Sequence, residues 1–153
     1  KGFIFLGLIK VDEEPYMIEY NVRMGDPETE AVLPRIQSDL VSLFNAVHQG
    51  KLNEFDLEID KRAGVTVMLV SGGYPEEFER GKEISGLENV EDSILYHGGT
   101  KLENGKILTN GGRVLAVTSL GEDFKEALKK SYQNIEKISF DRIYYRSENG
   151  GEL

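Results

Sequence analysis

Residues 19–40, EYNVRMGDPETEAVLPRIQSDL, change their apolar spacing within a few positions. Before the Gly25-Asp26-Pro27-Glu28 corner, polar and apolar residues alternate. After it, apolar residues recur at three and four. Alternation is the signature of a strand with two unlike faces, and spacing of three and four marks one face of a helix. A chain written this way must deliver a strand through a tight corner directly into a helix. The polar face of the strand then ends close to the acids that open the helix.

The flanking residues extend this pattern. Residues 2–10 read as a buried strand, residues 11–15 as a polar turn, and residues 16–22 as a second strand pairing with the first. Asp26 is placed to cap the helix, with Pro27 at the first helical position, where a missing N–H costs nothing. Leu33, Ile36, Leu40, Leu43, Phe44 and Val47 form one helical face that ends near Gln49-Gly50, and Pro34 divides it into a short first turn and a longer second helix. Residues 51–61 are charged and lack periodicity, so they predict a linker between a first region, residues 1–50, and a small second domain, residues 62–153. In that domain residues 65–70, 94–100, 106–109, 113–119 and 143–145 read as strands, with a hairpin turn at Asn104-Gly105. Residues 123–138 read as a helix with Phe124, Ala127, Leu128, Ile135 and Ile138 on one face. The predicted class is α+β: antiparallel strands plus helix, then a strand-rich domain with one packed helix. The chain opens already inside a strand, which predicts that it is the carboxy-terminal part of a longer protein.

Composition removes several kinds of chemistry. The net charge of -9 opposes a nucleic-acid partner, because phosphate backbones require a basic face. With no cysteine there is no disulfide, thiolate zinc site or cysteine nucleophile. No apolar run approaches the roughly 18 residues of a spanning helix, so no membrane partner is expected. The 39% hydrophobic and 29% charged content belongs to a folded globular chain of 153 residues.

Glu19, Asn21 and Arg23 lie two apart, so on a strand they share one face while Tyr20, Val22 and Met24 take the other. A carboxylate beside an amide oxygen suits a hard cation such as magnesium held together with substrate phosphates. An arginine one step further suits a phosphate or carboxylate bidentately. The same spacing also describes the solvated face of an amphipathic strand. Asp26 and Glu28 equally describe a cap and acids that complement a helix dipole. The glycine pairs at 72–73, 98–99 and 111–112 match neither a P-loop nor a dinucleotide fingerprint, and read as turns or close backbone approaches. His48 and His97 each lack a partner at metal-ligand spacing.

The segment EYNVRMGDPETEAVLPRIQSDLVSL resembles the signature of the phosphoribosylamine–glycine ligases (glycinamide ribonucleotide synthetases), which are ATP-grasp enzymes. GFIFLGLI before it, and VSGGYPEEFERGKEISGL, YHGGTKL and TNGGRVLAVTSLG after it, extend the likeness over essentially the whole chain. The resemblance implies that residues 1–50 end an ATP-grasp domain and that the remainder is the small domain closing against it. It implies magnesium or manganese on Glu19 and Asn21. The substrates or their phosphates would lie at Arg23, Gly25, Asp26 and Glu28, and no single residue is assigned the catalytic step. Many other ATP-grasp enzymes carry a further metal-binding acid on the preceding strand, where FIFLGLIK has none. The implied partners are ATP, glycine, 5-phosphoribosylamine and the amino-terminal part of the same cytoplasmic enzyme of purine biosynthesis. A sibling ligase acting on another acid and amine, or a non-catalytic binding module, would share the metal-like pair.

Overall fold

The computed structural model describes residues 1–147, and the chain divides into two compact units, one ending at Asp60 and the other starting at Lys61. In the first unit β1 (Phe5–Val11) and β2 (Glu14–Asn21) form an antiparallel hairpin. Its register pairs Val11 with Glu14, leaving Asp12 and Glu13 as a two-residue turn, both left-handed at φ 49° and 70°. Such turns match the twist of the strands they join. A bulge between Gly7 and Leu8 shifts the register, so that Gly7 pairs with Glu19 and Leu8 with Met17. Leu6, Leu8, Ile18 and Tyr20 are all more than half exposed, so among the described residues this two-stranded sheet has no covering layer.

The corner differs in detail from the expected cap. Helix α1 (Glu28–Val32) has Pro27, not Asp26, at its N-cap position. The Gly25 carbonyl accepts from both the backbone N–H and the hydroxyl of Thr29, so the turn closes on Gly25. The missing N–H of Pro34 then tightens the chain into a single 3₁₀ turn, Leu33–Arg35, before α2 (Leu40–Gln49) begins. Asp39 caps α2 by accepting from the Ser42 N–H at 2.7 Å, which holds its carboxyl below the ordinary aspartate value. Gly50, left-handed at φ 75°, ends it. Of the expected apolar face only Leu43 is buried, although Phe44 meets Phe3 edge-to-face at 6.0 Å.

The stretch expected as a linker is tied to this unit. Asp60 N–H donates to the Arg35 carbonyl and Gln37 N–H to that of Glu58, while the Arg35 guanidinium holds the Asp60 carbonyl through two bonds of 3.2 and 3.0 Å. Residues without periodicity can still be ordered by main-chain pairing, and here the division falls after Asp60 rather than across residues 51–61.

The second unit is a three-stranded antiparallel sheet in the order β3 (Ala63–Val70), β7 (Arg113–Gly121), β4 (Ser93–His97), with a separate hairpin of β5 (Thr100–Glu103) and β6 (Lys106–Thr109). Helix α3 (Phe124–Ile135) lays Ala127, Ser131 and Ile135 on the face formed by Val65, Val67, Leu69 and Val117, and these residues form the core with Leu115, Ile138 and Phe140. Its buried hydroxyls are satisfied as a chain. Ser131 donates to Ser119 at 2.9 Å, Ser119 meets Ser93 at 2.6 Å, and Asn134 donates to Ser93 at 2.8 Å.

Two expected strands are revised. Residues 94–100 are not continuous: Gly98 and Gly99 donate their N–H groups to Val114 and Arg113, and β4 stops at His97. A Cβ at Gly99 would lie 2.5 Å from the Arg113 carbonyl oxygen, so only glycine permits this approach. Residues 143–145 make a single bridge, Tyr144 to Val70, because the Ile143 N–H turns back to Phe140.

One turn of this unit makes a sharp prediction. Gly86 is left-handed at φ 82°, and a Cβ there would sit 1.9 Å from the Lys137 backbone oxygen. Gly86→Ala is expected to cost at least about 1–3 kcal/mol from backbone strain, with the clash in addition. An unchanged denaturant midpoint would contradict that account.

Candidate functional site

The first unit builds the candidate site from the polar face of β2. Glu19 and Asn21 project from the same side, and the Asn21 amide donates to the Glu19 carboxylate at 3.4 Å. Cross-strand partners share a face, so Gly7 and Phe5 of β1 lie beside Glu19 and Asn21 respectively. Phe5 also reaches the corner, since a Cβ at Gly25 would lie 3.1 Å from the Phe5 ring and 3.0 Å from the Glu28 carboxyl carbon. Gly25 is buried, and its missing side chain lets the corner close on Phe5. Glu19, Asn21, Gly25 and Glu28 are thereby gathered around one aromatic ring and one strand face.

Arg23 stands apart from the pair. Strand β2 ends at Asn21, so the two-apart spacing no longer governs where residue 23 points, and the guanidinium donates to the Met24 carbonyl at 3.0 Å. Asp26 lies in the corner ahead of α1. His48 offers its backbone oxygen to the Lys1 ammonium, and His97 shares a hydrogen bond of 3.0 Å with the Thr100 hydroxyl. Sequence reading passed over Gly7 and Phe5, which carry no chemistry and become visible only through the hairpin register. It also passed over Glu30, whose Oε2 is buried without a hydrogen-bond partner among the described residues. Such an atom is costly unless something donates to it.

The donor set fits a magnesium or manganese ion of one particular kind. Among the described residues no group of three or more His, Cys, Asp or Glu could form a cage. Turning the Asn21 amide over presents its oxygen beside the Glu19 carboxylate, giving two hard oxygens on an exposed face. That number suits a cation that keeps most of its shell as water and substrate phosphate.

Comparison with known proteins covers both units. A family model described as "Phosphoribosylglycinamide synthetase, C domain" matches residues 64–151. The chain is 45% identical over 148 residues to the phosphoribosylamine–glycine ligase of Caldanaerobacter subterraneus subsp. tengcongensis, covering 97% of this chain and 36% of that protein. It is 44% identical over 153 residues to the Yersinia pestis protein of the same name, again with 97% and 36% covered. Among solved structures, the crystal structure of phosphoribosylamine–glycine ligase from Thermotoga maritima superposes with a TM-score of 0.77 at 38% identity, over 95% of this chain and 36% of that one. The chain thus spans about a third of the length of these relatives.

Proposed function

The chain belongs to the phosphoribosylglycinamide synthetase family, and on that premise we propose that it forms the carboxy-terminal wall of an ATP-dependent carboxylate–amine ligase. Its reaction joins glycine to 5-phosphoribosylamine. The glycine carboxylate takes the terminal phosphoryl group of ATP, releasing ADP and leaving glycyl phosphate. The amine of 5-phosphoribosylamine attacks the activated carbonyl, and phosphate leaves as glycinamide ribonucleotide forms. The setting is cytoplasmic purine biosynthesis, and the partner is the remaining two thirds of the ligase chain. No helix of the described residues is long and apolar enough to cross a membrane.

The observation that carries this reading is the Glu19–Asn21 pair on one strand face beside the Gly25–Glu28 corner. Phosphoryl transfer needs charge neutralisation and alignment more than a protein nucleophile. A magnesium ion bound here would supply positive charge to the ATP phosphates. Glu19, and Asn21 with its amide oxygen turned toward the ion, would hold it. The Arg23 guanidinium, with one donor on Met24, has further donors to offer an anionic oxygen. Gly25 keeps the corner closed against Phe5 beside the reacting groups. Asp26 and Glu28 orient donors of the substrates.

The 153-residue chain alone is expected to make no glycinamide ribonucleotide from ATP, glycine and 5-phosphoribosylamine, whereas a complete ligase chain that carries this segment does. Product release by the isolated chain, followed as ADP formed per glycine consumed, would overturn the division of labour proposed here.

A further inference from the structure

We propose that Gly7, on the strand opposite the metal-binding pair, is a positioning residue that sets the rotamer of Glu19 and through it the affinity for the divalent cation. The inference rests on the reading of Glu19 and Asn21 given above.

Gly7 is not needed for backbone reasons. It sits within β1 and does not take up the left-handed conformation seen at six other glycines, including Gly50 and Gly86. Its register partner is Glu19, at the point where the bulge interrupts the hairpin. A Cβ built on Gly7 would lie 3.1 Å from the Glu19 Cγ, with the Glu19 backbone oxygen and nitrogen next at 3.7 and 3.8 Å. Apart from its chain neighbours no other residue comes as close, and the two backbone distances are ordinary contacts. The absent side chain is therefore space used by the Glu19 stem. The Cγ of that stem lies over Gly7 while one carboxylate oxygen stays within reach of the Asn21 amide. A methyl group at position 7 must push the Cγ away by a few tenths of an ångström, or force another χ1 well. Either response displaces the carboxylate from Asn21. Residues that only orient a metal ligand typically alter metal affinity by 10–100-fold.

Two measurements test this. In a complete ligase chain that carries this segment, Mn2+ binding in the presence of a non-hydrolysable ATP analogue is followed by electron paramagnetic resonance. Gly7→Ala is expected to raise the Mn2+ concentration for half-saturation on the order of tenfold. In the Glu19→Gln background the same substitution should add nothing further, because its effect passes through that carboxylate. A shift of equal size in both backgrounds overturns the proposal. Wild-type Mn2+ binding by Gly7→Ala, with Glu19→Gln shifted, overturns the role of Gly7 and leaves the metal reading standing. No shift from either substitution overturns both. The second measurement needs no metal and no other part of the ligase. In the 153-residue chain, side-chain scalar couplings of Glu19 report its χ1 populations. Gly7→Ala is expected to redistribute them while amide shifts of the second unit stay fixed, and unchanged couplings overturn the proposal.

Discussion

Glu19→Gln, placed in a complete ligase chain that carries this segment, is expected to lower turnover about 10²–10³-fold, the scale for losing one preorganised electrostatic contact to a developing charge. The substitution keeps the side chain's length and an oxygen that can still touch a cation, and removes only the negative charge. Raising the magnesium concentration should recover part of the loss, because the defect lies in holding the ion. Stability should change by less than about 0.5 kcal/mol, since Glu19 is exposed and the bond it accepts from Asn21 is long. Asn21→Asp keeps an oxygen and adds charge, so it should retain the cation while weakening ATP. Normal turnover with unchanged magnesium dependence in Glu19→Gln would return this strand to an ordinary solvated face.

The second large effect is on stability. Leu115 is fully buried on the central strand β7, between Leu69 of β3 and His97 of β4 in the register. Leu115→Ala is expected to cost about 2–5 kcal/mol, because the packed sheet and helix on either side cannot collapse into the space. For a domain of this size that is a large part of the total stability. Hydrogen exchange should locate the loss in amides of β3, β4, β7 and α3. The amides of β1 and β2 should be unaffected, since the chain divides at Asp60. Uniform acceleration across both units would show that they unfold together.

Local pattern was sufficient wherever the physics is local. Alternation that begins at Glu19 carries strand β2 to its end at Asn21, because successive side chains must point to opposite faces. The recurrence of Phe124, Ala127, Leu128 and Ile135 sets a helix, and the glycine at residue 50 stops another by taking the left-handed conformation. The α+β class was legible on the same grounds, and the ligase family through the resemblance of residues 19–43 and the segments around them. So were the spacing of Glu19 and Asn21 and the exclusion of thiolate chemistry.

What the pattern could not supply depends on residues distant in the chain. Tyr20 lies on the face opposite Glu19, as alternation requires, yet it is 65% exposed, because burial depends on a second layer and not on period. Residues 51–60 carry no periodic signal, and the main-chain bonds to Arg35 and Gln37 and the Arg35 and Ser38 side chains that order their end are contacts no period encodes. The break at Gly98-Gly99 comes from β7 approaching within the space of a methyl group. The importance of Gly7 follows from a register created by a bulge and a two-residue turn. Sequence by itself determined which residues alternate and stop, since those properties belong to a few adjacent bonds. Only the tertiary structure decided which glycine faces which acid, because a cross-strand distance is set by the pairing of two segments and is written in neither.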